Sequence, residues 1–489
     1  MKITSKNTQP DLTKISNATL DLFSLEECES KCSGVYISEW LESRIAHHYD
    51  RISSGSYEYQ DAFISKFRDF RVGRSRASLK NTGETESEFS GSIVFAPQIE
   101  THFNSMFRLA NEFYEEKHRC LFLVPNSCVN WKKYHNATER FEFVFVENLI
   151  QVNTTFDQRK YLLITHDLES MKKRESFTKF SFWQWRSFRM AVLRDARRFL
   201  ALVECLNLRF AAHKPRCIVG PNPWGLVSNA VLAAGKEADI PLFYQAHVML
   251  FQTMTDLYSL YDLRIYDHFI VKSHRCAQAI WARDSKACVC VEGLDISAPN
   301  WNAFSLSPEG QHSCQSRFVV GIPETLNADH IAKIVSLLSS QDIDIVIKTH
   351  PPSGRAGQVR KVVGGGQTVR VLDHSEIDLA GFFQQTDIMI CGSTTVAYEA
   401  AAVGIPVICF YSARDQEVIQ KRSPALPVHE IALWHVHDFE GLAAMVYELS
   451  DRNVDSLHEA RVKQFERFRL YFPEDESSCA VHFIESHTL

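Results

Sequence analysis

A strand covered on both faces must be apolar at nearly every position, because successive side chains point to opposite sides. This chain repeats that signature along most of its length. It reads SIVFAP at 92–97, CLFLVP at 120–125, FEFVFV at 141–146, YLLITH at 161–166, CIVGPN at 217–222, PLFYQ at 241–245, DHFIVKS at 267–273 and ACVCVEG at 287–293. The series restarts with FVVGIP at 318–323 and runs through IDIVIKTH at 343–350, TVRVLD at 368–373, IMIC at 388–391 and VICF at 407–410. Segments of helical spacing lie between most of these runs. They fall at 106–113, 183–210, 224–238, 328–339, 377–385 and 396–402, with a last amphipathic one at 454–471. Strands alternating with helices predict parallel sheets.

The expected fold class is α/β, with two Rossmann-like domains in series behind a mainly irregular or helical N-terminal extension. Residues 1–90 are polar and aperiodic, and SRASLKNTGETESEFSG at 75–91 has the composition of a linker or mobile loop. The first domain is expected over 91–297, a linker over 298–316, the second domain over 317–453 and C-terminal helices over 454–489. A chain of 489 residues is too long for one ordinary core. Its 45% hydrophobic and 23% charged residues indicate a soluble globular protein, and the net charge of −6 argues against a nucleic-acid partner. No apolar run reaches the ~18 residues of a membrane span. The first residues, MKITSKNTQPDLTKISN, lack the apolar core of a signal peptide, so a cytoplasmic location is expected, in solution or peripherally at the inner face of the membrane. Thirteen cysteines show no paired ligand spacing, and no metal site is expected. The helix at 183–210 carries Arg186, Arg189, Arg194, Arg197 and Arg198. A solvated helix face is the plain reading; a surface for an anionic glycan or a membrane is the other.

In open α/β sheets, ligands bind outside the carboxyl ends of the strands. Three features of the second half meet that condition. IKTHPP ends a strand at His350 and Pro351, and strand alternation puts Lys348 on the same face as His350. An imidazole there can donate to a phosphate oxygen. CGSTT places Gly392, Ser393, Thr394 and Thr395 before a helix, where free amides and the helix dipole favour an anion. The plain alternative is a helix cap. Glu399, on that helix, suits ribose hydroxyls or simply solvent. In the first half, QIETHFNS follows the first strand as a loop with Glu100 and His102, and either could serve as a general base.

Together these loops resemble a family pattern. His350-Pro351, Ser393-Thr394 and Glu399-Ala400-Ala401-Ala402-Val403-Gly404-Ile405-Pro406 look like the donor domain of GT-B glycosyltransferases. They are most similar to bacterial surface- and capsule-polysaccharide enzymes: sialyltransferases and Kdo transferases that use CMP-sugars, and CDP-glycerol glycerophosphotransferases. IPLFYQAHVML at 240–250, with Gln245 and His247, is similar to the family's strand ending in Q-H-G, although Ala246 intervenes. VCVEGLDIS at 289–297 and YFPEDESSCAVHFIES at 471–486 resemble its crossover and closing segments.

The resemblance implies a metal-independent glycosyltransferase without a cofactor, its nucleotide-sugar acting as co-substrate. The donor, CMP- or CDP-linked by preference, would bind through Lys348, His350, Pro351, Gly392, Ser393, Thr394, Thr395 and Glu399. A glycan or glycolipid acceptor would meet Gln245 and His247. Glu100 or His102 would act as base, and His350 would steady the leaving group. The alternatives are a nucleotide-sugar 2-epimerase on the same fold and a non-catalytic relative that binds a nucleotide-sugar or glycan. The oligomeric state is left open.

Overall fold

The computed structural model describes residues 89–488 apart from 126–127, 130–135, 147–148, 150–157, 174–177, 179, 222–224, 247–264, 283, 294–316, 340–342, 350–355, 365–367, 374, 393, 395, 412–430, 451–453 and 473–476. The extension at 1–88, the linker at 298–316 and the candidates His247, His350, Pro351, Ser393 and Thr395 lie outside the described residues.

The first sheet and its helices comprise β1 (Ile93–Phe95), α1 (Glu100–Glu115), β2 (Cys120–Val124), α2 (Ala137–Arg140), β3 (Glu142–Phe145), α3 (Gln158–Met171), α4 (Phe182–Ala212), β4 (Cys217–Gly220), α5 (Leu226–Glu237), β5 (Leu242–Gln245), β6 (His268–Val271), α6 (His274–Trp281) and β7 (Cys288–Val291). The strand order is β3-β2-β1-β4-β5-β6-β7, and β1 runs parallel to both β2 and β4. Strands β1, β2, β4 and β5 are buried at every position, as their unbroken apolar runs require. Phenylalanines fill the space over β1 to β3. The Phe122 ring lies 5.2 Å from Phe95, 5.0 Å from Phe103 and 5.3 Å from Phe143. Such pairs add about 0.5–1.5 kcal/mol each beyond the area they bury.

The second sheet comprises β8 (Phe318–Pro323), α7 (Ala328–Leu338), β9 (Ile343–Lys348), α8 (Ala356–Val363), β10 (Val369–Leu372), α9 (Leu379–Gln384), β11 (Ile388–Cys391), α10 (Val396–Ala402), β12 (Val407–Phe410), β13 (Trp434–Val436), α11 (Phe439–Ser450) and α12 (Val454–Tyr471). Its order is β10-β9-β8-β11-β12-β13, and every neighbouring pair is parallel. Helix starts follow local chemistry. Asn327 accepts the His330 amide at 2.8 Å and Asp378 accepts the Gly381 amide at 2.7 Å, satisfying donors that a helix cannot pair internally. Helix α12 is held by polar contacts as well as packing. Buried Gln464 accepts the Val407 amide at 3.0 Å and donates to the Ile431 carbonyl. Arg461 pairs with Asp387 at 3.2 Å, and Asp387 also accepts the Val319 amide. The last helix, α13 (Ser477–Ser486), ends with the first sheet: Phe483 stands edge-on to Phe243, and Glu485 lies 2.7 Å from His118.

Two sequence expectations are corrected. YLLITH is not a strand; it lies inside α3, whose buried residues Ile164, Leu168 and Met171 are spaced by four and three. That helical period outweighs the local strand-like composition. QIETHFNS is not a loop either, because helix α1 begins at Glu100. Among the described residues, no helix is long and apolar enough to cross a membrane.

Replacing Gln464 with leucine would leave the Val407 amide and the Ile431 carbonyl buried without their partner. We expect a loss of about 1–3 kcal/mol for each orphaned group, read as a lower guanidinium midpoint. An unchanged midpoint would show that α12 is held by apolar packing alone.

Candidate functional site

Where strand order reverses in a doubly wound sheet, successive crossovers leave on opposite faces and their loops part. Each sheet here has one such point. In the first it lies between β1 and β4; in the second, between β8 and β11.

At the first reversal the opening is filled from within. Gln98, just past β1, extends its side-chain carbonyl to the N-terminus of α5. It accepts the amides of Val227 at 3.1 Å and Ser228 at 3.3 Å. Gly225 at the helix cap makes room for it, since a Cβ there would sit 2.0 Å from the Gln98 amide. The donors that would greet an anion at this helix end thus already serve a side chain. The backbone N–H of Gln98 donates to Nδ1 of His102 at 3.4 Å. His102 is buried, at 6% exposure, whereas Glu100 is exposed in the first turn of α1. The two candidate bases therefore point to different surroundings. Gln245 ends β5 and is buried at 1% exposure.

At the second reversal a threonine closes the seam. Thr325, two residues past β8, accepts the Gly392 amide through its hydroxyl at 3.0 Å. Its own amide turns back to the Pro323 carbonyl at 2.7 Å. The Glu324 amide donates to the Lys348 carbonyl at 2.9 Å, so the ends of β8, β9 and β11 are knitted together. Gly392 leaves little room for a side chain: a Cβ would lie 3.2 Å from both the Thr325 carbonyl oxygen and Leu326, so either would have to give by a few tenths of an ångström. Beyond it, the Thr394 hydroxyl accepts the Val396 amide at 3.3 Å and so caps α10, the structural half of its expected role. Glu399 sits partly buried in the first turn of α10.

The charge at this rim is balanced rather than bare. Lys348 is partly buried, and burial pulls its ammonium below the usual lysine range. Asp378 and Asp373 counter that pull. Strand alternation turns the next residue the other way: Thr349 is buried and its amide donates to the Leu372 carbonyl at 3.0 Å. An anion here would therefore rely on neutral donors and a half-desolvated lysine. A groove of about 580 Å³ lies elsewhere, lined by Leu433, Trp434, Lys463, Glu466, Arg467 and Leu470. It opens at the amino-terminal end of β13, away from the end where α/β sheets take ligands.

Gln98 and Thr325 belong to no motif legible in the sequence, and neither does a third feature, an ion pair on the carboxyl rim of the first sheet. Lys272 follows β6 and Glu292 follows β7; they meet at 2.7 Å with side-chain exposures of 8% and 3%. Glu292 also donates its amide to the Val271 carbonyl at 2.8 Å. Each of these residues sits one to three positions past an apolar run. That placement is the signal that would have found them.

No family model matches the chain, and no curated protein is matched by its sequence. Solved structures do resemble it in fold. The UDP-GlcNAc 2-epimerase of Neisseria meningitidis bound to UDP-GlcNAc is 9% identical, with a TM-score of 0.50 over 81% of this chain and 100% of that one. MurG of Acinetobacter baumannii is 11% identical, with a TM-score of 0.47 over 81% and 99%. Anabaena HepE in complex with UDP and glucose is 12% identical, with a TM-score of 0.47 over 81% and 98%. At such identities the likeness concerns fold: two Rossmann-like α/β domains in series, the GT-B class.

The buried ion pair makes a sharp test. Removing the acid, as in Glu292→Ala, strands the buried Lys272 charge and should cost about 3–5 kcal/mol in unfolding experiments. Replacing both with apolar residues of similar size should recover most of that loss. A double-variant loss equal to the sum of the two single losses would mean the side chains act independently rather than as a pair.

Proposed function

We propose that the chain is a metal-independent glycosyltransferase that holds a nucleotide-activated sugar on the strand-end loops of its second sheet. The acceptor is a glycan or glycolipid, as in surface-polysaccharide synthesis. The observation that carries this reading is the Thr325–Gly392 closure, which brings hydroxyl and amide groups of β8 and β11 together at the strand reversal, beside Lys348. The motif resemblance supports CMP- or CDP-linked donors. The Neisseria meningitidis and Anabaena structures hold UDP-GlcNAc and UDP, so uridine donors belong in any test.

In this reading the acceptor hydroxyl oxygen attacks the anomeric carbon while the bond from that carbon to the nucleotide's phosphate oxygen breaks. The electron pair leaves with the nucleotide. His350, Ser393, Thr394 and Thr395 meet the developing charge, Gly392 holds its loop against Thr325, Pro351 is assigned to the donor side with His350, Lys348 neutralises part of the charge, and Glu399 receives the ribose. The acceptor's proton passes to a base. Glu100 suits that task better than His102, because it is exposed at the carboxyl end of β1 while His102 is buried with Nδ1 engaged. Gln245 and His247 are assigned to the acceptor side.

A second reading, a nucleotide-sugar 2-epimerase, is favoured by the fold likeness to the Neisseria meningitidis enzyme. Nucleotide release separates the two. A transferase frees its nucleotide when an acceptor is added; an epimerase interconverts donors with none present. A binding relative does neither, yet its Tm rises with the nucleotide. His350→Ala should slow turnover about a hundredfold, the usual cost of one charge-stabilising donor, with Tm nearly unchanged. A variant that unfolds would instead make His350 a structural turn residue.

A further inference from the structure

Helix α4 has two contrasting sides. Trp185, Phe188, Phe199, Leu202, Leu206 and Phe210 are buried, and the helix is opened by a capping box of Ser181 and Gln184. The outward side is mixed in a particular way. Trp183, Arg186, Met190, Arg194 and Arg197 follow one another at spacings of three and four, so they share a face, and all five are exposed. Trp183 keeps 57% of its surface in solvent, Met190 61% and the adjoining Phe182 66%. Helix α3 lies alongside, tied to α4 by the ion pair of Arg189 and Glu169 at 2.7 Å. On the row of α3 that ends at Glu169 stands Leu162, 65% exposed.

The charge on this helix runs against that of the chain. Its sequence holds six arginines (186, 189, 194, 197, 198 and 209) and two acids, Asp195 and Glu204, in a protein of net charge −6. Arg186 lies over the Trp183 ring at 5.7 Å, and Arg194 leans on Asp195 at 3.5 Å. Exposed large apolar side chains flanked by arginines on one helix face are the composition of an interfacial helix.

We propose that the outer face of α4, with Leu162 of α3, docks the protein on a membrane surface rich in anionic headgroups. Trp183, Phe182, Met190 and Leu162 would seat at the boundary between headgroups and acyl chains. Arg186, Arg194 and Arg197 would meet lipid phosphates from their flexible stems. A soluble acidic glycan would satisfy the arginines but would not cover four exposed apolar side chains, and this apolar content favours lipid. The inference stands apart from the transferase reading.

Sedimentation of the full chain with vesicles tests it. Binding is expected to mixed phosphatidylcholine–phosphatidylglycerol vesicles, not to phosphatidylcholine alone, and should weaken as salt rises. Arg186→Glu and Arg194→Glu should each reduce partitioning about fivefold or more. Quenching of tryptophan emission by brominated lipid should fall in Trp183→Phe. Circular dichroism and Tm of these variants should match the parent, since every changed side chain is exposed. Three results would overturn the proposal. One is no binding to anionic vesicles at low salt. Another is an equal loss from Lys463→Glu, an exposed lysine on α12. The third is retention by an acidic polysaccharide such as heparin without retention by vesicles, which would assign the face to a glycan instead.

Discussion

A parallel sheet that reverses its winding direction must part its loops at one place, and something polar has to close the seam. In this protein two side chains do so, one in each sheet. Gln98 reaches across to the amides that open α5, while Thr325 reaches across to the single amide of Gly392. The difference matters for chemistry. The glutamine consumes the first amides of a helix. The threonine ties two strand ends together, and the start of the following helix is capped by Thr394, a residue of its own loop. The first seam is plugged; the second is laced.

The surroundings of Lys348 follow from that lacing. Its carbonyl is held by the Glu324 amide, so the strand end is fixed even though its side chain is only partly buried. Burial disfavours its charge and holds its ammonium below the usual lysine range, and Asp378 and Asp373 offset part of that. A cation balanced in this way steers an anion less than a bare one but costs less to desolvate when a ligand arrives.

Much of the fold was legible because burial on both faces leaves a strong mark, a continuous apolar run. The runs at 92–97, 217–222, 318–323, 343–350, 388–391 and 407–410 each contain a strand, and the helix at 454–471 begins and ends where its periodicity does. YLLITH failed for a physical reason: six residues rich in leucine and isoleucine fit either period, and the deciding positions, Leu168 and Met171, lie beyond the run. The strand-end loops of the second half were legible by position. Thr325 was not, because its partner Gly392 is 67 residues away and only the sheet order brings them together. Lys272 and Glu292, 20 residues apart and each just past one of two neighbouring strands, were hidden in the same way.

Under the proposed function, ligand recognition belongs to the laced seam and not to the plugged one. Hydrogen exchange of the full chain, with and without a saturating nucleoside mono- or diphosphate, addresses it directly. Exchange should slow in peptides spanning 323–327 and 391–397, with 225–230 unchanged. Protection centred on 225–230, or none at 391–397 under conditions where the nucleotide raises Tm, would contradict it.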